Sequence, residues 1–424
     1  MKIAGIIVTL CTVCTSFTLA QSTQKEMLTT PQKTAGVYYA YPALDIVKQK
    51  NAPKGYQPFY ISHFGRHGSR YLINDEDYKW ILDLLEDAGN QNALTPLGLD
   101  TYQRVRKVWQ EAEGRGGDLS PLGVRQQRGI AERMFRLYPN VFTNSATLSA
   151  RSTLVVRCIL SMDAFCERLK ELNPKLKANR EASNKYMGYL NFHTPEAIAF
   201  RSEKNTWKKQ LDSFQQKIIN PNRLVASLFK DGDFVNQKVK KEALMWGFYW
   251  LASDMQNMET KISFYDLFQL QELFDIWQCI NAKEYINNAS NSFNNNIMYN
   301  NAKPVLKNII LSADEVITKK GKGATLRFAH DGNMMPLLAA LRLKNCYGDT
   351  DNIDEIYKVW SNYKVAPMGA NLQIVFYKKT TSDDVIVKFL LNEVETTIPE
   401  LSSNITPYYR WKDVKAYYQQ ILDK

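Results

Sequence analysis

QPFYISHFGRHGSR, residues 57–70, is the stretch on which the reading of this chain turns. Residues 57–64 form a short β-like run, bounded by Pro58 and Gly65. Arg66-His67-Gly68-Ser69-Arg70 follows directly. In open α/β sheets, ligands bind in the loops that leave the carboxyl ends of strands. Here two arginines flank one histidine in such a loop, and Gly68 permits close approach of backbone. A guanidinium is a planar fork of donors suited to phosphate. A histidine between two guanidiniums is discouraged from taking a proton, so His67 is expected to stay neutral and nucleophilic even in mild acid. The competing reading is a basic surface turn. The chain has only four histidines, His63, His67, His193 and His330, so a chance match to this arrangement is a weak explanation.

A second strand-like run, residues 324–329 (ATLRFA), is followed by His330-Asp331. A His-Asp pair in a turn is common by itself. Two strand-end sites on either side of an intervening segment are less so, and both are expected to converge on one cleft. Arg157 lies in a helix expected over residues 153–172, after a candidate strand at 146–150. Alone it is one arginine among many. His63 precedes His67 by four residues and shares its face only if the strand continues past Gly65, so a structural or supporting role is expected. His193, in Asn191-Phe192-His193, reads as a loop or core histidine.

Outward from these points, residues 78–88 have helical spacing. Ser120 and Pro121 make the N-cap and first position of a helix ending near residue 137. From about 175 to 300 the chain is rich in Lys, Asn, Gln and aromatics and reads as helical, clearest at 241–255 and 265–280. The asparagine cluster at 287–301 reads as a solvated loop. Helices are expected at 303–317, at 334–343 with Pro336 in the first turn, and at 411–422. Strands are expected at 372–377 and 385–391. The fold class is therefore α/β, a sheet flanked by helices with an inserted mainly α-helical domain. The expected division is a leader at 1–20, an α/β catalytic domain at 21–172 and 302–424, and the insert at 173–301.

The chain has 424 residues, 54 Lys plus Arg and 43 Asp plus Glu, a formal net charge of +11. With 45% hydrophobic and 23% charged residues it is neither disordered, collagen-like nor disulfide-dense. The basic excess suggests an anionic partner without naming it. Met1-Lys2, an apolar run to Leu19 and the small residues Thr18 and Ala20 read as a cleaved secretory leader. This predicts a periplasmic or secreted protein with no stable membrane insertion after cleavage. Of six cysteines, Cys158, Cys166, Cys279 and Cys346 lie beyond the leader and show no zinc spacing. Cys158 and Cys166 on one helix stand about 12 Å apart, too far to bridge. The basic residues are dispersed and no nucleic-acid module is present, so nucleic acid is not an expected partner.

Taken together, these motifs resemble the histidine acid phosphatases, the acid-phosphatase and phytase branch of the histidine phosphatase superfamily. Residues 66–70 match that family's RHGxR signature and His330-Asp331 its HD pair. Arg157, Ser161 and Phe165 resemble its third phosphate-binding segment, and residues 119–129 (LSPLGVRQQRG) its intervening helix. The resemblance implies that His67 attacks phosphorus to form a phosphohistidine. It implies that Arg66, Arg70, Arg157 and His330 hold the phosphoryl oxygens, and that Asp331 protonates the leaving oxygen. It calls for no metal and no other cofactor. Relatives acting on multiple inositol phosphates often carry His-Ala-Glu in place of the HD pair, whereas here Asp331 follows His330 directly. Cofactor-dependent phosphoglycerate mutases share the RHG core but usually lack the arginine matching Arg70.

The expected function is a phosphomonoesterase for a small-molecule phosphate ester, with polyanions such as phytate a candidate class and an acidic optimum. The alternatives are a non-catalytic polyanion-binding protein, or a phosphotransferase between alcohols at the same site. Lys208, Lys209, Lys217, Lys238, Lys240 and Lys241 are candidate contacts to a polyanion, with a solvated helix face as the competing reading. Oligomeric state is left open.

Overall fold

The computed structural model describes residues 23–46, 49–202 and 206–423. The expected leader, with Cys11 and Cys14, lies outside them. The strands are β1 (Gln57–Arg66), β2 (Thr147–Ser152), β3 (Lys177–Ala182), β4 (Gly323–Ala329), β5 (Asn371–Lys379), β6 (Ser382–Leu391), β7 (Val394–Thr396) and β8 (Tyr408–Arg410). They form one sheet in the order β3-β2-β4-β1-β5-β6-β7, with β8 beside β6. β3, β2, β4 and β1 run parallel, and β5 turns the sheet antiparallel. β1 is thus central and is buried from Phe59 to Arg66, as a strand covered on both faces must be.

The longer helices are α1 (Glu76–Asn90), α2 (Pro96–Ala112), α3 (Pro121–Leu137), α4 (Val156–Leu172), α5 (Thr206–Ile218), α6 (Lys241–Asp254), α7 (Leu270–Asn288), α8 (Tyr299–Thr318), α9 (Asp331–Ala340) and α10 (Trp411–Asp423). The alternation of β1 divides them between two layers. Ile61 joins Leu148, Leu326 and Val375 against Ile130 and Met134 of α3 and Phe165 and Leu169 of α4. Tyr60 and Phe64 face the other way, into a core shared with Phe248 of α6, Ile276 and Tyr285 of α7, and Leu337 of α9. The helices between β3 and β4 therefore bury apolar surface in the same core as the sheet.

Three details differ from the sequence reading. Lys177–Ala182, inside the stretch read as helical, is the outer strand β3. Its sequence KANREA is mostly exposed and charged, which suits an edge strand and hides the apolar alternation by which strands are recognised. The asparagine cluster is not a solvated loop: Asn288, Asn291, Asn294 and Asn301 are buried. Asn291 Nδ2 donates to the Tyr285 and Ala289 carbonyls at 2.7 and 3.0 Å, and Asn294 Nδ2 to Ile286 and Ala289 at 2.8 and 2.7 Å. These amides bond to carbonyls in the last turn of α7 and just beyond it, where the helix's own N–H donors run out. Helix α9 begins at Asp331 rather than Met334, with His330 as N-cap, so Pro336 lies inside it and Asp331 is its first residue.

Among the described residues no helix is long and apolar enough to cross a membrane. Cys158, Cys166, Cys279 and Cys346 are buried free thiols.

Candidate active site

In the parallel half of the sheet Arg66 pairs with Ala329, and Ser152 with Phe328. The carboxyl ends of β1, β4 and β2 are therefore level. The loop after each starts at one place, the point where the sheet changes direction. His67 is tied there by its own N–H to the Ala329 carbonyl (3.1 Å), and its carbonyl accepts from Gly369 N (2.9 Å).

The loop that follows is clamped by α3 and α4. Gly68 N donates to Ser161 Oγ at 3.1 Å, and Ser161 Oγ donates to the Arg157 carbonyl at 2.7 Å. Ser69 N donates to Gln126 Oε1 at 2.8 Å, and Gln127 Nε2 to the Arg66 carbonyl at 3.0 Å. A Cβ on Gly68 would stand 2.4 Å from the Gly123 carbonyl oxygen, and one on Gly123 would stand 2.2 Å from that of Ser69. Loop and first turn of α3 touch backbone to backbone, and this is the close approach that Gly68 serves.

The six residues singled out in the sequence come together. Arg66, 1% exposed, pairs through Nη2 with Asp331 Oδ2 at 2.6 Å, while Nη1 donates to the Val37 carbonyl and, at 2.8 Å, to that of Ala366. Arg70 donates from Nη2 to Tyr38 Oη (2.9 Å) and from Nη1 to the Tyr71 carbonyl (2.6 Å), with its guanidinium 4.6 Å from the Tyr38 ring centre. Arg157 donates from Nη1 to the Gly117 carbonyl at 3.4 Å. Each of the three has a buried Nε with no partner among the described residues. An unpartnered buried N–H costs about 1–3 kcal/mol. The three guanidiniums surround His67 closely enough for each to lower its proton affinity, and together they supply the positive charge that an anion there would meet.

The rings of His67 and His330 meet edge to face, 5.7 Å between centres. His67 Nδ1 lies 2.8 Å from the Gly68 carbonyl. A carbonyl only accepts, so Nδ1 carries the proton and Nε2 the lone pair. Burial, then Arg66, Arg70 and Arg157, hold His67 well below the usual imidazole range. The neutral histidine expected from its flanking arginines is thereby accounted for, with burial as the larger cause. Burial, opposed by Asp331 and helped by Arg157, Arg66 and Arg70, lowers His330 to about 4. Its Nε2 lies 3.2 Å from Thr153 Oγ1. For Asp331, burial raises the carboxyl, but Arg66, His330 and Arg70 outweigh it and leave it below the usual carboxylate range. Its Oδ1 accepts from Gly332 N at 2.8 Å, at the positive end of α9.

Other sequence candidates lie elsewhere. His63 sits between the rings of Phe165 and Phe328, at 5.1 and 5.3 Å, on the face of β1 that meets α4. His193 accepts from Arg201 Nη1 at 3.1 Å. Lys217 and Lys238 pair with Asp354 and Asp87, and Lys208 lies over Trp207. Lys241 reaches Asn222 Oδ1 at 3.4 Å. None of the six candidate lysines hydrogen-bonds or ion-pairs with the strand-end cluster.

Several residues around the site carried no signal in the sequence. Ser69 Oγ donates to Asn257 Oδ1 at 2.7 Å, and Asn257 Nδ2 to the Tyr38 carbonyl at 2.9 Å. Behind Arg70, the buried Asp254 accepts from Tyr78 Oη at 2.5 Å and is pushed up to about 7, chiefly by burial. Glu284 of α7 is near enough for Asp331 and Arg66 to affect its charge. No motif marks these positions, because they reach the loop through the packing of α6 and α7. Among the described residues no group of three or more His, Cys, Asp or Glu is placed to hold a metal.

Comparison with known proteins agrees with this architecture. The chicken (Gallus gallus) multiple inositol polyphosphate phosphatase 1 is 22% identical over 329 residues, 72% of this chain and 69% of that protein. The multiple inositol polyphosphate phosphatase of Bifidobacterium longum, solved in complex with inositol hexasulfate, superposes with a TM-score of 0.76 at 18% identity, over 91% of this chain and 97% of that one. The phytase of D. castellii gives 0.66 at 16% identity, over 92% and 84%. The family model for the histidine phosphatase superfamily (branch 2) matches residues 64–392. That span runs from β1 to the end of β6 and takes in both strand-end motifs, so the chain belongs to this branch of the histidine phosphatases and is a phosphatase.

Proposed function

We propose that the chain hydrolyses phosphate monoesters through a phosphohistidine on His67, with inositol polyphosphates as its substrate class, in an extracytoplasmic compartment. The observation that carries the reading is the gathering of Arg66, Arg70 and Arg157 around His67, whose Nδ1 faces the Gly68 carbonyl and so leaves the lone pair on Nε2. The phosphoryl oxygens take the three guanidiniums and His330. His67 Nε2 attacks phosphorus, the ester P–O bond breaks, and Asp331 gives its proton to the leaving oxygen. Water then attacks the phosphohistidine. Its proton returns to Asp331, and inorganic phosphate leaves with His67 neutral again. The charge that develops on the equatorial oxygens is met by fixed guanidiniums, which supply most of what phosphoryl transfer needs. Phosphate also competes with Asp331 for Arg66. This releases the carboxyl from its ion pair and raises its proton affinity at the step where it must donate.

The substrate class rests on the names of the chicken and Bifidobacterium relatives and on the basic excess of the chain. The compartment rests on the reading of residues 1–20. The test is hydrolysis of inositol hexakisphosphate and p-nitrophenyl phosphate in a chelator, with a rapid quench to trap phosphoprotein. An acid-labile, base-stable phosphoryl group is expected on the wild type and not on H67A. An H67A protein retaining more than about a tenth of the activity overturns the mechanism. Turnover confined to aryl phosphates overturns the substrate class, and an uncleaved N-terminus in the producing cell overturns the compartment.

A further inference from the structure

Residues 31–41 precede the span matched by the family model, yet they reach the centre of the site. A short 3-10 helix over Pro31–Tyr38 is bent at Gly36, whose φ of +60° favours glycine. Beyond the bend, the Val37 carbonyl accepts from Arg66 Nη1, and Tyr38 Oη accepts from Arg70 Nη2 at 2.9 Å. Two consecutive residues thus hold the two arginines of the 66–70 loop. The segment is itself anchored at several points. Tyr249 Oη of α6 donates to the Thr34 carbonyl at 2.5 Å, and Ala40 N donates to Gln256 Oε1 at 3.0 Å. Asn257 Nδ2 donates to the Tyr38 carbonyl and Met368 N to that of Tyr39, both at 2.9 Å. The buried Tyr38 ring lies 5.3 Å from that of Trp250 and 4.6 Å from the Arg70 guanidinium.

We propose that residues 34–40 form a strap that sets the 66–70 loop for phosphoryl transfer, with Tyr38 the positioning residue for the Arg70 guanidinium. The inference rests on Arg70 holding a phosphoryl oxygen. Arg66 shares its charge with Asp331, but the hydrogen-bond partners of Arg70 are the neutral Tyr38 hydroxyl and Tyr71 carbonyl. Among the described residues no carboxylate lies within ion-pair distance of Arg70. A neutral acceptor fixes the direction of a guanidinium without cancelling its charge. Arginine is also long and loses much rotamer freedom when it is fixed. The strap fixes it before substrate arrives, so that freedom is not lost on the way to the transition state. Tyr38 therefore acts through Arg70 and does not touch the reacting atoms.

The experiment is a double-mutant cycle of wild type, Y38F, R70M and Y38F/R70M on p-nitrophenyl phosphate, with melting temperatures alongside. Y38F keeps the ring over the guanidinium and loses the acceptor. It is expected to lower kcat/KM roughly tenfold, since a small misplacement of a charged group can cost as much as about 10². In the R70M background the same change should cost less than about twofold, because no guanidinium remains to be placed. Inhibition by orthovanadate, which takes the trigonal-bipyramidal geometry of the transferring phosphoryl group, should weaken in Y38F by the same factor as kcat/KM. Y38M, which also lacks the acceptor, serves the same cycle if Y38F folds poorly. An unchanged kcat/KM in Y38F, or an equal loss in both backgrounds, overturns the proposal. Turnover by R70M near the wild-type rate overturns instead the reading of Arg70 on which it rests.

Discussion

The middle of β1 and its carboxyl end each hold a buried histidine with a buried arginine close to it, and only one of the two is a candidate active site. His63 is 1% exposed and His67 2%. Burial followed by a guanidinium lowers the first to about 3, and burial followed by three guanidiniums lowers the second. The arginines separate the two regions. Arg327, crossing from β4 beneath His63, donates from Nε to Asn308 Oδ1 at 2.8 Å, from Nη1 to Ser62 Oγ at 3.0 Å and from Nη2 to Ser312 Oγ at 2.7 Å. Its three nitrogens all meet neutral oxygens. Arg66 has a carboxylate on one arm, carbonyls on another and nothing on Nε. His63 likewise is wedged between phenylalanine rings with Nδ1 unpartnered, whereas the Nδ1 of His67 is fixed by a carbonyl. A buried charge with its donors filled belongs to the scaffold. One with a donor left open beside a free lone pair is arranged for a ligand.

Substitutions at matched positions sharpen this contrast. The largest expected effect is on the histidines: H67A should lower phosphate release at least about a thousandfold, and H63L by less than about threefold. Similar losses in both would break the comparison. Next come the arginines. R66M should cost about 10²–10³ in kcat, since one fixed donor to the developing charge is removed. It should also move the alkaline limb to higher pH, because Asp331 loses the cation that holds its proton affinity down. R327M should lower the melting temperature by leaving Ser62 Oγ and Asn308 Oδ1 without their donor, while kcat stays within a few-fold. A loss of kcat in R327M at unchanged stability would contradict its assignment to the scaffold.

The smallest effect is on acid stability. His63 stays neutral in the fold down to about 3, but takes a proton in the unfolded chain below about 6.5. Its contribution is therefore present above the unfolded value and is lost as pH falls towards the folded one. Between about pH 7 and 5, the wild type should lose about 2 kcal/mol more than H63L, read from urea unfolding at the two values. Equal slopes would mean that His63 is protonated in the fold.

Much of this site was legible along the chain because its parts are local. The β-like run ending in Arg66-His67-Gly68-Ser69-Arg70 showed a strand-end loop, and Ser120-Pro121 showed where α3 starts. In the structure Ser120 Oγ accepts from Gly123 N at 3.3 Å. His330-Asp331 stood out for the same reason. Glu284, Asp254 and Asn257 did not. Each is an ordinary polar residue in a helical stretch until α6 and α7 carry it to the back of the loop. β3 was missed because an exposed edge strand has no apolar alternation to show. The asparagine cluster was misread because a side-chain amide that serves a solvated turn also serves a buried carbonyl, and composition does not distinguish the two.

By itself, the amino-acid sequence determined the chemistry of short segments: which loop carries a nucleophile between cations, where α3 begins, and which family the motifs resemble. These depend on neighbours a few bonds away. The tertiary structure alone decided that Arg66 meets Asp331, that Arg157 joins Arg66 and Arg70 around His67, and that Asn257 holds Ser69 from behind the loop. Those facts follow from the register of parallel strands and from the packing of distant helices on them. Proton affinity changes with them, because burial and neighbouring charge exist only once the chain has folded.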